Sequence, residues 1–140
     1  MIADARYLQL HPGAPLPEMD ALRPFVAFVI IRADVTVDWQ WDVSQWLVAS
    51  GCLSMAAWGI ACTTWDDSVD EANLIAYDWG EIPEDRAVMT SWHDDESLDE
   101  ATFFAKHVAF HPTTTLESAL ILDVSLANRE AEVLDMWARA

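Results

Sequence analysis

Strands and helices alternate along this 140-residue sequence, and the alternation predicts an α/β fold. We expect a small three-layer sandwich, Rossmann-like or flavodoxin-like, built on a four-stranded and mainly parallel sheet. Two observations carry the prediction. The apolar run PFVAFVII (24–31) is typical of a strand covered on both faces, and segments with helical spacing separate it from three further apolar runs.

The four predicted strands are short apolar runs bounded by polar or glycine residues. They lie at 24–31, 52–59, 86–92 and 118–125. Strand order cannot be read from the sequence, although the commonest small arrangement of this kind places the first strand centrally. Residues 1–24 hold four of the six prolines and predict an irregular leader packed on a single α/β domain at 25–140.

The predicted helices each begin at a residue that can cap exposed backbone amides. They lie at 37–51, 65–78 and 98–110, with a fourth helix ending near Trp137. The expected caps are Thr36 or Asp38 for the first helix, Thr63 or Thr64 for the second, Ser97 with Glu100 as a capping box for the third, and Ser125 or Asn128 for the fourth.

The charge of the chain is strongly negative. Twenty-four acidic residues face seven basic ones, which gives a formal net charge of −17. A field of that sign repels nucleic acid and anionic membranes and attracts basic proteins and cations. The competing interpretation is that the charge only keeps the protein in solution.

No apolar run approaches the ~20 residues of a membrane-spanning helix, and the first twenty residues lack the pattern of a signal peptide. We therefore expect a cytoplasmic protein. Cys52 and Cys62 are too few for a disulfide framework and are expected to be core or near-surface thiols. A nucleophile pair of either cysteine with His93 or His107 is disfavoured, because Cys52 lies in a predicted buried strand.

Acidic and aromatic residues follow the predicted strands, where open parallel sheets bind their ligands. The densest stretch is TSWHDDESLDE (90–100), and WDD (65–67) follows the preceding strand. Asp66, Asp67 and Asp94 are the candidate ligands of a Mg²⁺ site, with His93 as the candidate acid/base residue. The alternative is structural, because acids in first helical turns offset the helix dipole without any ligand.

Other catalytic patterns are missing from the sequence. It contains no GxGxxG, P-loop or G-x-S-x-G motif. His107 and His111 have the i, i+4 spacing of a metal pair, but Pro112 predicts that the helix ends before His111. His107 is then expected to interact with the helix dipole, and His111 to lie in a turn.

The eight tryptophans indicate either core filling or a binding surface. Trp46 fits the buried stripe of the first helix. Trp39 and Trp41 are two residues apart and cannot share one helical face. At least one of that pair is therefore expected to be exposed or in a cleft.

Residues 50–112 resemble an uncharacterised bacterial family of small acidic domains. The family has no established function, so the resemblance implies no catalytic assignment. The residues that carry it are Gly51-Cys52-Leu53, Ala57-Trp58-Gly59, Cys62, Trp65-Asp66-Asp67-Ser68-Val69, Ala72-Asn73-Leu74, Met89-Thr90, Trp92-His93, Phe104-Ala105-Lys106-His107 and His111-Pro112.

The sequence is compatible with two functions. The favoured one is an acidic binding protein without a cofactor that holds a basic protein partner, concretely an immunity or inhibitor protein, as a monomer or homodimer. The alternative is a metal-assisted hydrolase or transferase with its site at the carboxyl ends of the strands. The expected binding surface comprises Trp65, Asp66, Asp67, Trp92, His93, Asp94 and Asp95.

Overall fold

The computed structural model describes residues 1–19 and 24–140 and has one parallel sheet of five strands. The strands are β1 (Asp4–Leu10), β2 (Phe25–Ile31), β3 (Cys52–Gly59), β4 (Met89–Trp92) and β5 (Ser118–Val124). Their order across the sheet is β1-β5-β2-β3-β4, and every neighbouring pair is parallel. The α/β class and the parallel sheet are confirmed, and the first predicted strand is the central one.

The predicted number of four strands is wrong, because β1 lies in the stretch expected to be an irregular leader. β1 pairs along its whole length with β5 and forms one edge of the sheet. The segment after it contacts the helix that follows β2, since the indoles of Trp39 and Trp46 donate to the carbonyl oxygens of Ala14 (3.0 Å) and Pro17 (2.8 Å). Residues 20–23 of that leader lie outside the described part of the chain.

Four α-helices connect or follow the strands. They are α1 (Val37–Ala49), α2 (Trp65–Ala76), α3 (Leu98–Phe103), which continues into a π-helical turn at Phe104–Val108, and α4 (Glu130–Arg139). Short 3₁₀ turns lie at Cys62–Thr64 and Glu84–Arg86. The third predicted strand, at 86–92, is shorter than expected, since β4 has only four residues.

The predicted helix caps are confirmed at α1 and α3. Thr36 accepts from the amide of Trp39, and Ser97 with Glu100 forms a full capping box. The expected cap of α4 is wrong, because its N-cap residue is Arg129, whose side chain makes no capping hydrogen bond. Asn128 precedes that position, and its side chain accepts from the amide of Glu130 at 2.9 Å. The expected cap of α2 is wrong, because the Thr64 hydroxyl donates backwards to the Ala61 carbonyl at 2.7 Å, within the 3₁₀ turn.

The central strand β2 is buried along its whole length and contributes to two separate hydrophobic clusters. Its odd-numbered residues pack with α1 and α2, and its even-numbered residues pack with the segment from α3 to Phe104 and with α4. This division follows from the pleat, because successive side chains of a strand point to opposite faces. We call these the first and the second core cluster.

The order in which the chain adds strands to the sheet reverses at β2, because β3 and β4 lie on one side of β2 and β5 lies on the other. β2 and β5 are neighbours, but β2 leads to α1 in the first cluster and β5 leads to α4 in the second. Such a position opens a crevice beyond the carboxyl ends of the two strands. All five carboxyl ends lie at the same edge of the sheet, which is therefore the edge to examine for function.

Gly59 at the end of β3 is expected to be essential for the approach of β3 to β2. Its φ is +110°, and a Cβ atom there would overlap the carbonyl oxygen of Ile31. We expect Gly59→Ala to lower the free energy of unfolding by about 2 kcal/mol or more, measured by urea denaturation. Gly13→Ala is the matched control, since Gly13 has φ +82° but open space around it. Equal losses in the two variants would contradict a steric role for Gly59.

Candidate functional site

The candidate site lies at the carboxyl edge of the sheet, where α2 follows β3 and a short loop follows β4. The Thr90 hydroxyl on β4 donates to Oδ1 of Asp70 on α2 at 3.0 Å, which joins the two elements. Thr90 and Trp92 pair with Met55 and Ala57 of β3, both members of the first cluster. Their side chains therefore lie on the same face of the sheet as α2.

Three carboxylates meet at the start of α2. One oxygen from each of Asp66, Asp67 and Asp70 lies within 4.8 Å of the other two, and we call these residues the acidic triplet. Asp66 and Asp67 were expected in a metal set, but with Asp94 as the third ligand. Within residues 1–19 and 24–140, Asp94 belongs to no such group. Asp70 takes its place because residues i and i+4 are neighbours on a helix.

The acidic triplet carries uncompensated negative charge. The three ion pairs of the described residues are Arg32–Asp123, His93–Glu96 and Arg139–Asp135, and none involves the triplet. Burial and then the charge of Asp67 raise the pKa of Asp66 above its ordinary value. Burial also raises the pKa of Asp70, against the hydrogen bond from Thr90, and the charges of Asp66 and Asp67 add to the rise.

The predicted binding surface is divided by the structure into exposed and buried residues. Asp67, Trp92, Asp94 and Asp95 are exposed, and the side chain of Trp92 is 50% accessible. Trp65 is fully buried in the first core cluster, where it helps to attach α2 to the sheet. Asp66 is 9% exposed, so it lies beneath the surface that its neighbours form.

His93 lies on the other face of β4, since it follows Trp92 directly. It is 5% exposed, and its ring centroid is 4.5 Å from that of Phe104, which packs against the second cluster. Nδ1 is 2.8 Å from Oε2 of Glu96, and Nε2 is 3.0 Å from the hydroxyl of Ser91. Both ring nitrogens therefore have hydrogen-bond partners near the β4–α3 turn. These contacts indicate that the imidazole stabilises the conformation of that turn.

The other two candidate histidines make structural contacts. His107 lies in the π-helical turn, and its Nε2 is 3.2 Å from the carbonyl oxygen of Ala140, beyond the end of α4. His111 is buried and donates from Nε2 to the Ala87 carbonyl at 2.7 Å, while its Nδ1 accepts from the amide of Thr113. The expectation that the helix ends before His111 is confirmed, since the helical segment ends at Val108 and a bend follows at 112–114.

The cysteines are free and buried. Burial raises the pKa of Cys52 to about 12, so this thiol stays protonated at neutral pH. A protonated and buried thiol is a poor nucleophile. These observations oppose the nucleophile pair that Cys52 was considered for.

The sequence did not reveal a polar network at the crevice between β2 and β5. Asp123 on β5 is fully buried, accepts from the hydroxyl of Tyr7 on β1, and forms an ion pair with Nε of Arg32 at 3.3 Å. Burial and the hydrogen bond to Asp123 raise the pKa of Tyr7 to about 12. Because its carboxylate has a charged and a neutral partner, Asp123 joins three strands at this edge.

The fold and site define an α/β protein with a parallel five-stranded sheet and an acidic carboxyl edge. The chain belongs to the family described as Domain of unknown function (DUF7684), whose model matches residues 5–140. This confirms the expectation of an uncharacterised family and extends the resemblance from residues 50–112 to almost the whole chain. No curated protein and no solved structure matches the chain. Among the described residues, no helix is long and apolar enough to cross a membrane.

We expect His93→Ala to destabilise the protein. The substitution leaves the Ser91 hydroxyl and the Glu96 carboxylate without their shared partner and removes the contact with Phe104. The free energy of unfolding, measured by chemical denaturation, should fall by about 1–3 kcal/mol. The exposed His107→Ala is the control and should lose less. A His93→Ala variant as stable as the control would restore His93 as a candidate catalytic residue.

We expect Asp66→Asn to raise the melting temperature at pH 7. The pKa of Asp66 is higher in the folded protein than in the unfolded chain, so its ionisation opposes folding above that pKa. The advantage of the variant should therefore shrink as the pH falls through the raised pKa, because wild-type Asp66 is then protonated as well. Asp95→Asn, at an exposed position, is the control in thermal unfolding at several pH values. A lower melting temperature for Asp66→Asn at pH 7 would contradict this account.

Proposed function

We propose that this protein is an acidic binding protein that holds a basic protein partner, as immunity and inhibitor proteins do. One observation carries the proposal: the half-exposed Trp92 lies two residues after Thr90, which hydrogen-bonds Asp70 of α2, and shortly before the exposed Asp94 and Asp95. We call this surface the acidic edge, and its members are Asp67, Asp70, Trp92, Asp94 and Asp95.

Trp92 supplies the aromatic anchor that such a surface needs. Tryptophans are enriched among the few residues that carry most of the binding energy of an interface, and surrounding polar residues exclude water from them. The side chain of Trp92 lies on an edge strand, on the same face as the acids of α2. Trp79 is also exposed, at 63%, but it follows the last residue of α2 and therefore lies near the opposite edge of the sheet.

The acids around Trp92 supply the long-range attraction. The net charge of −17 is not offset at this edge, because none of the described ion pairs involves Asp67, Asp70, Asp94 or Asp95. The single lysine, Lys106, is buried with its Nζ on carbonyls of the last turn of α4. Charge of this kind raises association rates with an oppositely charged partner by about 10- to 1,000-fold.

The metal-assisted hydrolase or transferase is less well supported by the geometry. That reaction needs an acid/base group beside the carboxylates, and His93 was the candidate for it. His93 faces the second core cluster, whereas the acidic triplet lies on the face of the first. The binding proposal is favoured because its residues share one exposed edge.

Two further expectations belong to the same proposal. The two core clusters on alternate residues of β2 support a three-layer arrangement of helices around the sheet.

The protein would act in the cytoplasm as a monomer or homodimer. An interface of ordinary size buries about 800 Å² on each partner, which is a small share of the described surface of 7408 Å².

The test is capture of a partner from the native host with tagged protein at low and moderate salt, followed by kinetics with the purified partner. We expect a basic protein that is lost as the salt concentration rises. Replacing Asp67, Asp94 and Asp95 by Lys should slow association by about tenfold or more and reduce its salt dependence. Trp92→Ala should instead speed dissociation, because it removes a short-range contact.

The matched control carries the same change of net charge at the opposite edge of the sheet. Glu81, Glu84 and Asp85 are exposed and precede β4, so their replacement by Lys leaves the acidic edge intact. This control should associate at close to the wild-type rate. Equal slowing in the two triple variants would show that net charge alone drives association, and the acidic edge would lose its proposed role.

A further inference from the structure

We propose that the acidic triplet of Asp66, Asp67 and Asp70 binds a hard divalent cation, Ca²⁺ or Mg²⁺, in the isolated protein. The inference goes beyond partner binding, because it assigns the triplet a ligand that requires no second protein. It also differs from the metal site expected from the sequence, since all three ligands come from one helix and neither Asp94 nor His93 takes part.

The spacing of the carboxylates fits a shared cation. Oxygens on opposite sides of Ca²⁺ are about 4.6–5.2 Å apart, and about 4.0–4.2 Å apart around Mg²⁺. One oxygen from each member of the triplet lies within 4.8 Å of the others. Three oxygens with separations of that size share a centre at most about 2.8 Å from each, so a small closure brings them to the Ca²⁺–oxygen distance and a larger one to that of Mg²⁺.

A second observation separates the triplet from an ordinary acidic helix start. Asp66 is nine-tenths buried, with 9% of its surface exposed, and its Oδ1 is buried without any hydrogen-bond partner. Exposed acids in a first helical turn are satisfied by water and by the helix dipole. The backbone amides of Asp66 and Asp67 act on this carboxyl, but Oδ1 itself has no hydrogen bond. A buried carboxylate oxygen without a hydrogen bond is costly, and a cation bound at the triplet would give the carboxylate a charged partner.

The neighbouring residues hold the triplet in place. Asp66 directly follows Trp65, which is fully buried, so the first turn of α2 is fixed to the core. Thr90 donates to Oδ1 of Asp70, which orients that carboxylate and leaves its second oxygen open. Asp67 and Asp70 are exposed, so water reaches the site and can complete the coordination sphere.

The test is a direct titration of the purified full chain, without any partner. Calorimetry with CaCl₂ and separately with MgCl₂ identifies the preferred cation, and Tb³⁺ luminescence sensitised by the tryptophans reports occupancy. We expect one saturable site per chain in wild-type protein. Asp66→Asn and Asp70→Asn should each weaken binding by about tenfold or more, because each removes a charged ligand.

Asp94→Asn and Asp95→Asn are the matched controls, since each removes one exposed charge near the site without touching the triplet. Both should bind the cation as wild-type protein does. Equal weakening in the controls would show a diffuse cloud of counterions, and no saturable binding at millimolar Ca²⁺ or Mg²⁺ would also overturn the proposal. Asp70→Asn serves as the decisive variant if Asp66→Asn does not fold, because Asp70 is exposed.

Discussion

The burial of β2 on both faces is the constraint on which the rest of the structure depends. A strand with side chains in two core clusters requires helices on each side, and parallel neighbours require the chain to return through those helices. Every strand then ends at the same edge of the sheet, and the helices that follow directly begin there. Gly59 permits the close approach of β3 to β2 at this edge. The position of the candidate site therefore depends on how closely these two strands pack.

Acidic residues are expected at that edge because helices begin there, but the edge has more of them than the helix dipoles explain. A helix start attracts negative charge, which accounts for Asp67 in the first turn of α2 and for Asp99 and Glu100 in α3. The helix dipole does not explain Asp66 and Asp70 fully, because burial and the charges of neighbouring carboxylates raise the pKa of both carboxyls. The protein thus maintains a locally unfavourable charge beside an exposed tryptophan, and a charged ligand or partner would relieve it.

Much of this could be predicted from the sequence, and each miss has an identifiable physical cause. The continuous apolar run predicted β2, whereas β1 was missed because an edge strand with one neighbour has a mixed polar pattern, here next to several prolines. Strand alternation could have placed Trp92 and His93 on opposite faces, and i, i+4 spacing could have added Asp70 to Asp66. The pairing of Asp123 with Tyr7 and Arg32 depends on strand order, which a single sequence does not contain.

The measurement that tests the central claim most directly is the response of the tryptophan indole signals in ¹H–¹⁵N spectra as the purified partner is added. The claim is that the acidic edge is the contact surface, and the two most exposed indoles lie near opposite edges of the sheet. Substitution of each tryptophan in turn assigns the signals. The account predicts that the Trp92 signal shifts or broadens at stoichiometric partner while the Trp79 signal stays unchanged. A response confined to Trp79, or a complex that leaves Trp92 unaffected, would contradict it.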